Sequence, residues 1–130
     1  MKYSLLTAIV SVFFLGCDYN NIRTESELPI HISEYQIPDA GSVNQSVDLK
    51  FTLEATSGCF HDLKLAMKFL DDRNLLVSAS ATFDGRGAAC PTNVVYRDTV
   101  VKFTPLLEGD YYFNVKLNSS ATAKDTLHVK

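Results

Sequence analysis

The segment VDLKFTLE, residues 47–54, is the clearest indication of the fold. Apolar side chains occupy every second position, and polar or charged side chains lie between them. Because successive side chains of a β-strand point to opposite faces, this alternation predicts a strand with one face in a core and the other in water.

Segments on both sides of this strand alternate in the same way. They cover residues 30–37, 62–69, 75–83, 94–103, 111–117 and 127–129. Turn-forming residues separate them at 38–41 and 71–74 and between Pro105 and Gly109. Seven short strands predict an all-β fold, a single immunoglobulin-like β-sandwich of about seven antiparallel strands.

The segment EGDYYF, residues 108–113, supports this prediction. It resembles the start of the sixth strand of immunoglobulin-like domains, where a tyrosine hydroxyl bonds the backbone across the corner. We expect Tyr111 to be that residue, and the alternative is a simple core tyrosine. The chain lacks Trp, and its cysteines do not lie on the second and sixth strands, which excludes an antibody-type domain.

The N-terminus has the pattern of an export signal. Lys2 precedes an apolar run at residues 5–15, and Gly16 and Cys17 follow. This fits a signal peptide, whose apolar region has about 7–15 residues, and is too short for a membrane-spanning helix of about 20 residues. The segment resembles the lipobox of bacterial lipoproteins, which implies cleavage before Cys17 and a lipid on its thiol. The alternative is an ordinary secretory signal.

The predicted organisation has three parts. Residues 1–16 form the signal peptide, residues 17–27 the lipidated cysteine and a flexible tether, and residues 28–130 the sandwich domain. The remaining cysteines, Cys59 and Cys90, flank the predicted hairpin of residues 62–83. An exported protein passes through an oxidising compartment, so we expect a disulfide at the open end of that hairpin. A reactive thiol pair is disfavoured because there is no Cys-x-x-Cys motif.

The chain also resembles small lipoproteins of Bacteroidetes-type bacteria. The shared pattern is Cys17 after the apolar leader, Ser-Gly-Cys-Phe at residues 57–60, Cys90, and Gly-Asp-Tyr at residues 109–111. The resemblance implies an immunoglobulin-like lipoprotein of the cell envelope and brings no activity with it. We favour the outer membrane over the inner one, and the choice between the periplasmic and surface faces stays open.

Several functional classes lack support in the sequence. The net charge of −3 and the lack of a Lys/Arg cluster argue against nucleic-acid binding. The chain has no His-x-x-x-His motif or glycine-rich phosphate loop, so we expect no enzyme, catalytic residue, metal or cofactor. His31 and His128 would form a weak metal pair only if the first and last strands paired.

Two groups of surface residues remain candidates. Acidic residues fall in turns at one end of the sandwich, where they would bind calcium or, as we favour, lie solvated: Asp39, Asp71, Asp72, Glu108 and Asp110. Asp-Thr-Val at residues 98–100 and Asp-Thr-Leu at residues 125–127 resemble the acceptor of Bacteroidetes O-glycosylation, with Thr126 preferred over Thr99.

The resulting hypothesis is a membrane-anchored, non-catalytic binding or interaction module with a partner protein in the bacterial envelope. It predicts an apolar or aromatic patch near one loop end. The alternative is a periplasmic or surface inhibitor of a hydrolase, such as a lysozyme or protease, that uses loop 85–91 next to the disulfide.

Overall fold

The computed structural model of the protein describes residues 24–85 and 89–130. This part of the chain is all-β, with eight strands and no helix. The strands are β1 (Thr24–Gln36), β2 (Ala40–Gly41), β3 (Val47–Ala55), β4 (Phe60–Phe69), β5 (Asn74–Asp84), β6 (Val95–Phe103), β7 (Gly109–Lys116) and β8 (Thr122–Val129). The predicted signal peptide and Cys17 lie outside the described residues.

All seven predicted strands are present, and the all-β class is confirmed. The additional strand, β2, lies in the predicted turn at residues 38–41 and pairs in parallel with the end of β8. β1 begins at Thr24, so the last part of the segment predicted as a tether, residues 17–27, pairs with β5.

The strands form one mixed sheet that curls on itself. Its order is β2-β8-β7-β5-β1-β3-β6, and β4 pairs with the other edge of β5. The pairings β5–β7 and β2–β8 are parallel, which corrects the prediction of an all-antiparallel arrangement. Alternation of side chains determines which face of a strand is buried but not which strand lies beside it, so the sequence pattern did not reveal the parallel pairs.

β1 connects the two halves of the curled sheet by changing partners along its length. Thr24–Ile30 pairs with the end of β5, and His31–Gln36 pairs with β3. The beginning of β5, Asn74–Val77, pairs with β7 on the same edge. Where β1 leaves β5, the Ile32 N–H donates to the Leu117 carbonyl at 3.0 Å. β1 and β7 therefore share one edge of β5 end to end.

The core lies inside the curl. Its largest fully buried side chains come from alternate positions of the long strands: Ile32, Leu49, Leu53, Leu75, Val77, Phe113, Val115 and Leu127. Phe103 closes the core at one end, with its ring centroid 5.4 Å from those of Tyr111 and Phe113. The alternation that predicted the strands therefore also identified the core faces.

Candidate functional site

The end of the molecule that contains residues 57–60, 84–85 and 89–94 is held by a disulfide, and we call it the disulfide end. Cys59 and Cys90 are bonded, with their Cα atoms 5.3 Å apart, which confirms the predicted pair. The Gly58 N–H donates to the Pro91 carbonyl at 3.0 Å, and the Asp84 N–H donates to the Cys59 carbonyl at 2.9 Å. β1 also starts here, since Thr24 lies opposite Asp84.

β4 and β6 approach each other across a gap in the curled sheet. β4 pairs with β5 and β6 pairs with β3, and no ladder within the described ranges joins β4 to β6. Towards the disulfide end, Arg97 Nη1 of β6 donates to the Leu63 carbonyl of β4 at 2.8 Å. The guanidinium thus bridges the gap, beside an irregularity in β4 where Asp62 has a φ of 52°.

At the opposite end the gap opens into a groove of about 700 Å³, which we call the tip groove. Its walls come from the β4–β5 hairpin and the β6–β7 loop, its floor from β6 and β7. The lining residues are Phe69, Leu70, Asp71, Asp72, Lys102, Phe103, Thr104, Leu106, Leu107 and Tyr111. The tip groove is therefore an apolar cleft with charged side chains among its lining.

The walls of the tip groove expose apolar surface. Phe69, Leu70, Leu106 and Leu107 are 54%, 56%, 70% and 47% exposed, respectively. Single exposed apolar side chains are common on proteins, but a contiguous group is typical of an interaction surface. These four side chains border one cleft, so they form such a group.

The floor of the groove is firmly packed. Tyr111 is buried, and its hydroxyl accepts a hydrogen bond from the Leu107 N–H at 3.0 Å. The Tyr111 hydroxyl thus bonds the backbone, as expected, and fixes the loop that carries Leu106 and Leu107. The same loop is held by the Asn44 N–H, which donates to the Pro105 carbonyl at 2.8 Å. The exposed leucines therefore project from an ordered loop.

The hairpin wall is ordered by its own turn. The Asp71 carboxylate accepts hydrogen bonds from the backbone N–H groups of Arg73, at 2.9 Å, and Asn74, at 2.8 Å, and from the Asn74 side-chain amide at 2.7 Å. These bonds, that from the Arg73 N–H first, lower the pKa of Asp71. The Asp71 side chain therefore stays charged in mildly acidic solution.

Both walls are joined through Arg73. The Tyr112 N–H donates to the Arg73 carbonyl at 2.8 Å, and the Arg73 guanidinium occupies the space where a side chain at position 109 would lie. Gly109 also has a φ of 114°, a backbone conformation that other residues rarely adopt. Glycine is thus required at position 109 for two reasons: the backbone conformation disfavours other residues, and the Arg73 guanidinium leaves no room for a side chain.

The acidic residues predicted at this end do not form a metal site. Asp110 pairs with His128 at 2.6 Å, Asp71 caps its own turn, and Asp39 lies between β1 and β2. In residues 24–85 and 89–130, no group of three or more His, Cys, Asp or Glu side chains is placed to hold a metal ion.

The structure separates the two histidines considered as a metal pair. His31 of β1 lies opposite Glu54 of β3, whereas His128 of β8 lies opposite Asp110 of β7. β1 and β8 are not paired, so that alternative is wrong.

The two threonines proposed as glycosylation sites are both half-buried in strands. Thr126 lies on β8 opposite Tyr112, and Thr99 lies on β6 opposite Phe51. Thr99 borders a second cleft of about 480 Å³ formed by β1, β3 and β6, whose lining includes Glu34 and Lys50.

Two predicted elements fall outside the description. Cys17 precedes the first described residue, and residues 86–88 of loop 85–91 are likewise not described.

Sequence reasoning placed the acids at the tip but missed the groove. An apolar pair that breaks the alternation precedes each of two turns, Phe69-Leu70 in one case and Leu106-Leu107 in the other. Adjacent apolar residues next to a turn cannot both face the same core, so they were the available signal.

Comparison with known proteins gave no relative. No protein family matches the chain, and neither the curated proteins nor the solved structures contain a match. None of the described segments forms a helix long and apolar enough to cross a membrane.

Proposed function

We propose that the protein is a membrane-anchored, non-catalytic binding module of the bacterial envelope, held by a lipid on Cys17, that binds a partner protein at the tip groove. The observation that carries the proposal is the contiguous apolar surface formed by Phe69, Leu70, Leu106 and Leu107 at one loop end. Such a patch is what a binding module requires and what a free-standing domain normally buries.

The position of the groove suits an anchored protein. β1 starts opposite Asp84, at one end of β5, and the groove lies beyond Asn74, at the other end. At about 3.3 Å per residue these two points are about 30 Å apart. An anchor on Cys17 would therefore keep the disulfide end nearest the bilayer and direct the tip groove away from it.

The lining of the groove favours binding over catalysis. Catalysis by an activated nucleophile requires a base within hydrogen-bonding distance and a group that orients the base. The lining residues include no His, Cys or Ser. The Tyr111 hydroxyl already accepts the Leu107 N–H, and the Thr104 hydroxyl is hydrogen-bonded to that of Ser46 at 2.6 Å.

The finer fold assignment, a variant of the immunoglobulin-like sandwich, is part of the proposal. It is supported by the Tyr111 corner, by the β1–β3–β6 group of antiparallel strands and by a first strand that contacts both halves. The parallel β5–β7 pairing sets it apart from the standard arrangement. The outer-membrane location and glycosylation at Thr126 or Thr99 rest on sequence resemblance alone.

The anchor is tested by mass spectrometry of the full-length protein purified from bacterial membranes. We expect a mature chain that starts at Cys17 and carries at least two acyl chains, since one chain gives only reversible membrane binding. Cys17→Ser is the control and should release the protein from membranes. An unmodified Cys17 in the mature chain would contradict the proposal.

The binding surface is tested by affinity purification of the anchored protein after chemical crosslinking. Leu70→Ser with Leu106→Ser should abolish recovery of the partner that the wild type retains. Tyr96→Ser with Val100→Ser is the matched control, because those side chains are 61% and 57% exposed but lie outside the groove. Equal recovery with both double variants would contradict the proposed surface.

A further inference from the structure

We infer that the occupant of the tip groove is a short cationic segment of a partner protein, with apolar side chains flanked by Lys or Arg. This inference rests on the proposed function and adds the chemistry of the partner. It follows from the size of the groove, from the charges around it and from the occupants that those charges disfavour.

The size of the groove favours a short segment. Its volume of about 700 Å³ lies within the range of about 300–1,000 Å³ that is usual for sites that enclose a small ligand or a few side chains. A standard protein–protein interface instead buries about 800 Å² on each partner and involves about 20–30 residues a side. The groove therefore accepts a few apolar side chains rather than the face of a domain.

The charges at the groove favour a cationic segment. Asp71 and Asp72 lie on the hairpin wall, and Glu108 follows Leu107 in the opposite wall. Lys102 is already paired with Asp48 at 3.0 Å. In the described part of the chain, Asp72 and Glu108 form no ion pair, so both carboxylates are available to a partner. Acidic side chains beside an apolar cleft select a partner with basic residues next to apolar ones.

Arg73 is a further cation at this end, and it does not reverse the negative charge around the groove. Arg73 is half-buried as a residue, and its guanidinium is packed against Gly109. Asp71 stays ionised because its turn hydrogen bonds lower its pKa. The hairpin and loop therefore present more negative than positive charge to a segment in the groove.

The same charges disfavour two other occupants. In a symmetric dimer each groove would face an identical copy, so Asp72 and Glu108 would approach the acids of the second chain. An anionic lipid surface would be repelled for the same reason. A cationic segment with apolar side chains can bury those side chains against the apolar walls, and its basic residues are attracted by the acids.

The test uses fluorescence anisotropy of labelled hexapeptides titrated with the full-length protein in a zwitterionic detergent. The probes are Lys-Lys-Leu-Phe-Lys-Lys, its charge-reversed form Glu-Glu-Leu-Phe-Glu-Glu, and the polar-centred Lys-Lys-Ser-Ser-Lys-Lys. We expect the first to bind at least ten-fold more tightly than either of the others. Its affinity should fall several-fold when the salt concentration rises from 50 to 500 mM, because salt screens exposed charges.

Amino-acid substitutions test where on the protein the peptide binds. Leu70→Ser with Leu106→Ser should weaken binding of the Lys-Lys-Leu-Phe-Lys-Lys peptide at least ten-fold. Asp72→Asn with Glu108→Gln should weaken it three- to ten-fold and reduce its salt dependence. Glu34→Gln with Glu54→Gln is the charge-matched control, since both acids lie on β1 and β3 away from the groove, and it should leave the affinity unchanged. The thermal unfolding midpoint of each variant verifies that it is folded.

The outcomes separate the inference from the proposed function. Equal affinity for the cationic and charge-reversed peptides, or no binding of any peptide, overturns the inference. So does binding that Leu70→Ser with Leu106→Ser leaves unchanged. If the peptides fail in this way but Leu70→Ser with Leu106→Ser still abolishes recovery of the crosslinked partner, the proposed function stands and the cationic segment is excluded. If this double variant still recovers the crosslinked partner, the proposed function itself fails.

Discussion

The gap between β4 and β6 is closed at one end of the molecule and open at the other. At the disulfide end, Cys59 is bonded to Cys90, and Arg97 bridges the gap to the Leu63 carbonyl. At the tip the same gap is open, and the leucines at positions 70 and 106 project into solvent. The chain can therefore close the gap, and it does so only at the end where β1 begins.

The closed gap at the disulfide end shows that the exposed apolar surface at the tip is not a product of poor packing. The floor beneath it is buried and hydrogen-bonded through Tyr111, and both walls are joined at Gly109. Exposed apolar walls above a firmly packed floor are the arrangement expected of a binding surface, because few side chains or loop segments have to be ordered when a partner binds. The following predictions test whether the two ends have these separate roles.

The largest effect is expected at the disulfide end. Replacing Cys59 and Cys90 together by Ser should lower the free energy of unfolding by about 3.5–4 kcal/mol, because the bond closes a loop with a sequence separation of 31 residues. Urea unfolding followed by circular dichroism measures the change. Peptide binding at the tip should persist while the variant is folded. A loss below about 1 kcal/mol would show that this end does not depend on the bond.

The second effect concerns the junction of the tip walls. Gly109→Ala should lower the free energy of unfolding by about 1–3 kcal/mol, because it strains the backbone at a φ of 114° and displaces the Arg73 guanidinium. Gly41→Ala is the control. There an added Cβ would meet Val47 Cγ1 at 3.3 Å, so we expect a smaller loss. Equal losses in thermal unfolding would argue against a special role for Gly109.

The third effect concerns the floor of the groove. Tyr111→Phe should cost about 1–2 kcal/mol of stability, because the part-buried Leu107 N–H loses its acceptor. Tyr112→Phe is the matched control, and we expect almost no change, since the described contact of the Tyr112 side chain is between its ring and the Lys124 ammonium group, and its backbone bond to Arg73 does not depend on the hydroxyl. Urea unfolding of both variants makes the comparison, and similar losses would mean that the Tyr111 hydroxyl does not fix the loop.

The fourth effect on stability is expected to be very small. Leu70→Ser with Leu106→Ser should change the free energy of unfolding by less than about 0.5 kcal/mol for each substitution, because both side chains are exposed. The same variant should lose partner binding. If chemical unfolding instead shows a loss above about 2 kcal/mol, these leucines stabilise the fold, and the contrast between the two ends disappears.

The smallest effect depends on pH. The lowered pKa of Asp71 means that its ionised form stabilises the folded state above the ordinary carboxyl pKa of about 3.9. This stabilisation is lost as the pH falls through the lowered pKa of Asp71 in the folded state. The stability difference between wild type and Asp71→Asn should therefore be constant above about pH 5 and shrink below about pH 4. A difference that stays constant down to pH 3 would contradict this.

Much of the fold was predictable because side-chain alternation is a direct consequence of strand geometry. Residues 47–54 identified β3, and the cysteines on either side of one hairpin identified the disulfide. The parallel β5–β7 pair was not predictable, since alternation carries no information on neighbours. β2 has only two residues, too few to show any period.

The groove was less predictable than the fold. Leu106 and Leu107 lie in a loop, and whether loop leucines are buried depends on where the neighbouring hairpin lies in space. The acids Asp71 and Asp72 were placed correctly in a turn at the tip, but their association with apolar walls required the structure. The sequence thus predicts the scaffold well and the binding surface only in part.

Site-specific photo-crosslinking in bacterial membranes tests whether the tip groove contacts a partner, with benzoylphenylalanine in place of either Leu106 or Val100 of the full-length protein. We predict that the probe at position 106 gives one protein adduct, that the Lys-Lys-Leu-Phe-Lys-Lys peptide competes with this adduct, and that the probe at position 100 gives none. Lipid adducts at position 106, or the same protein adduct from both positions, would contradict the claim that the tip groove faces away from the membrane and binds a partner.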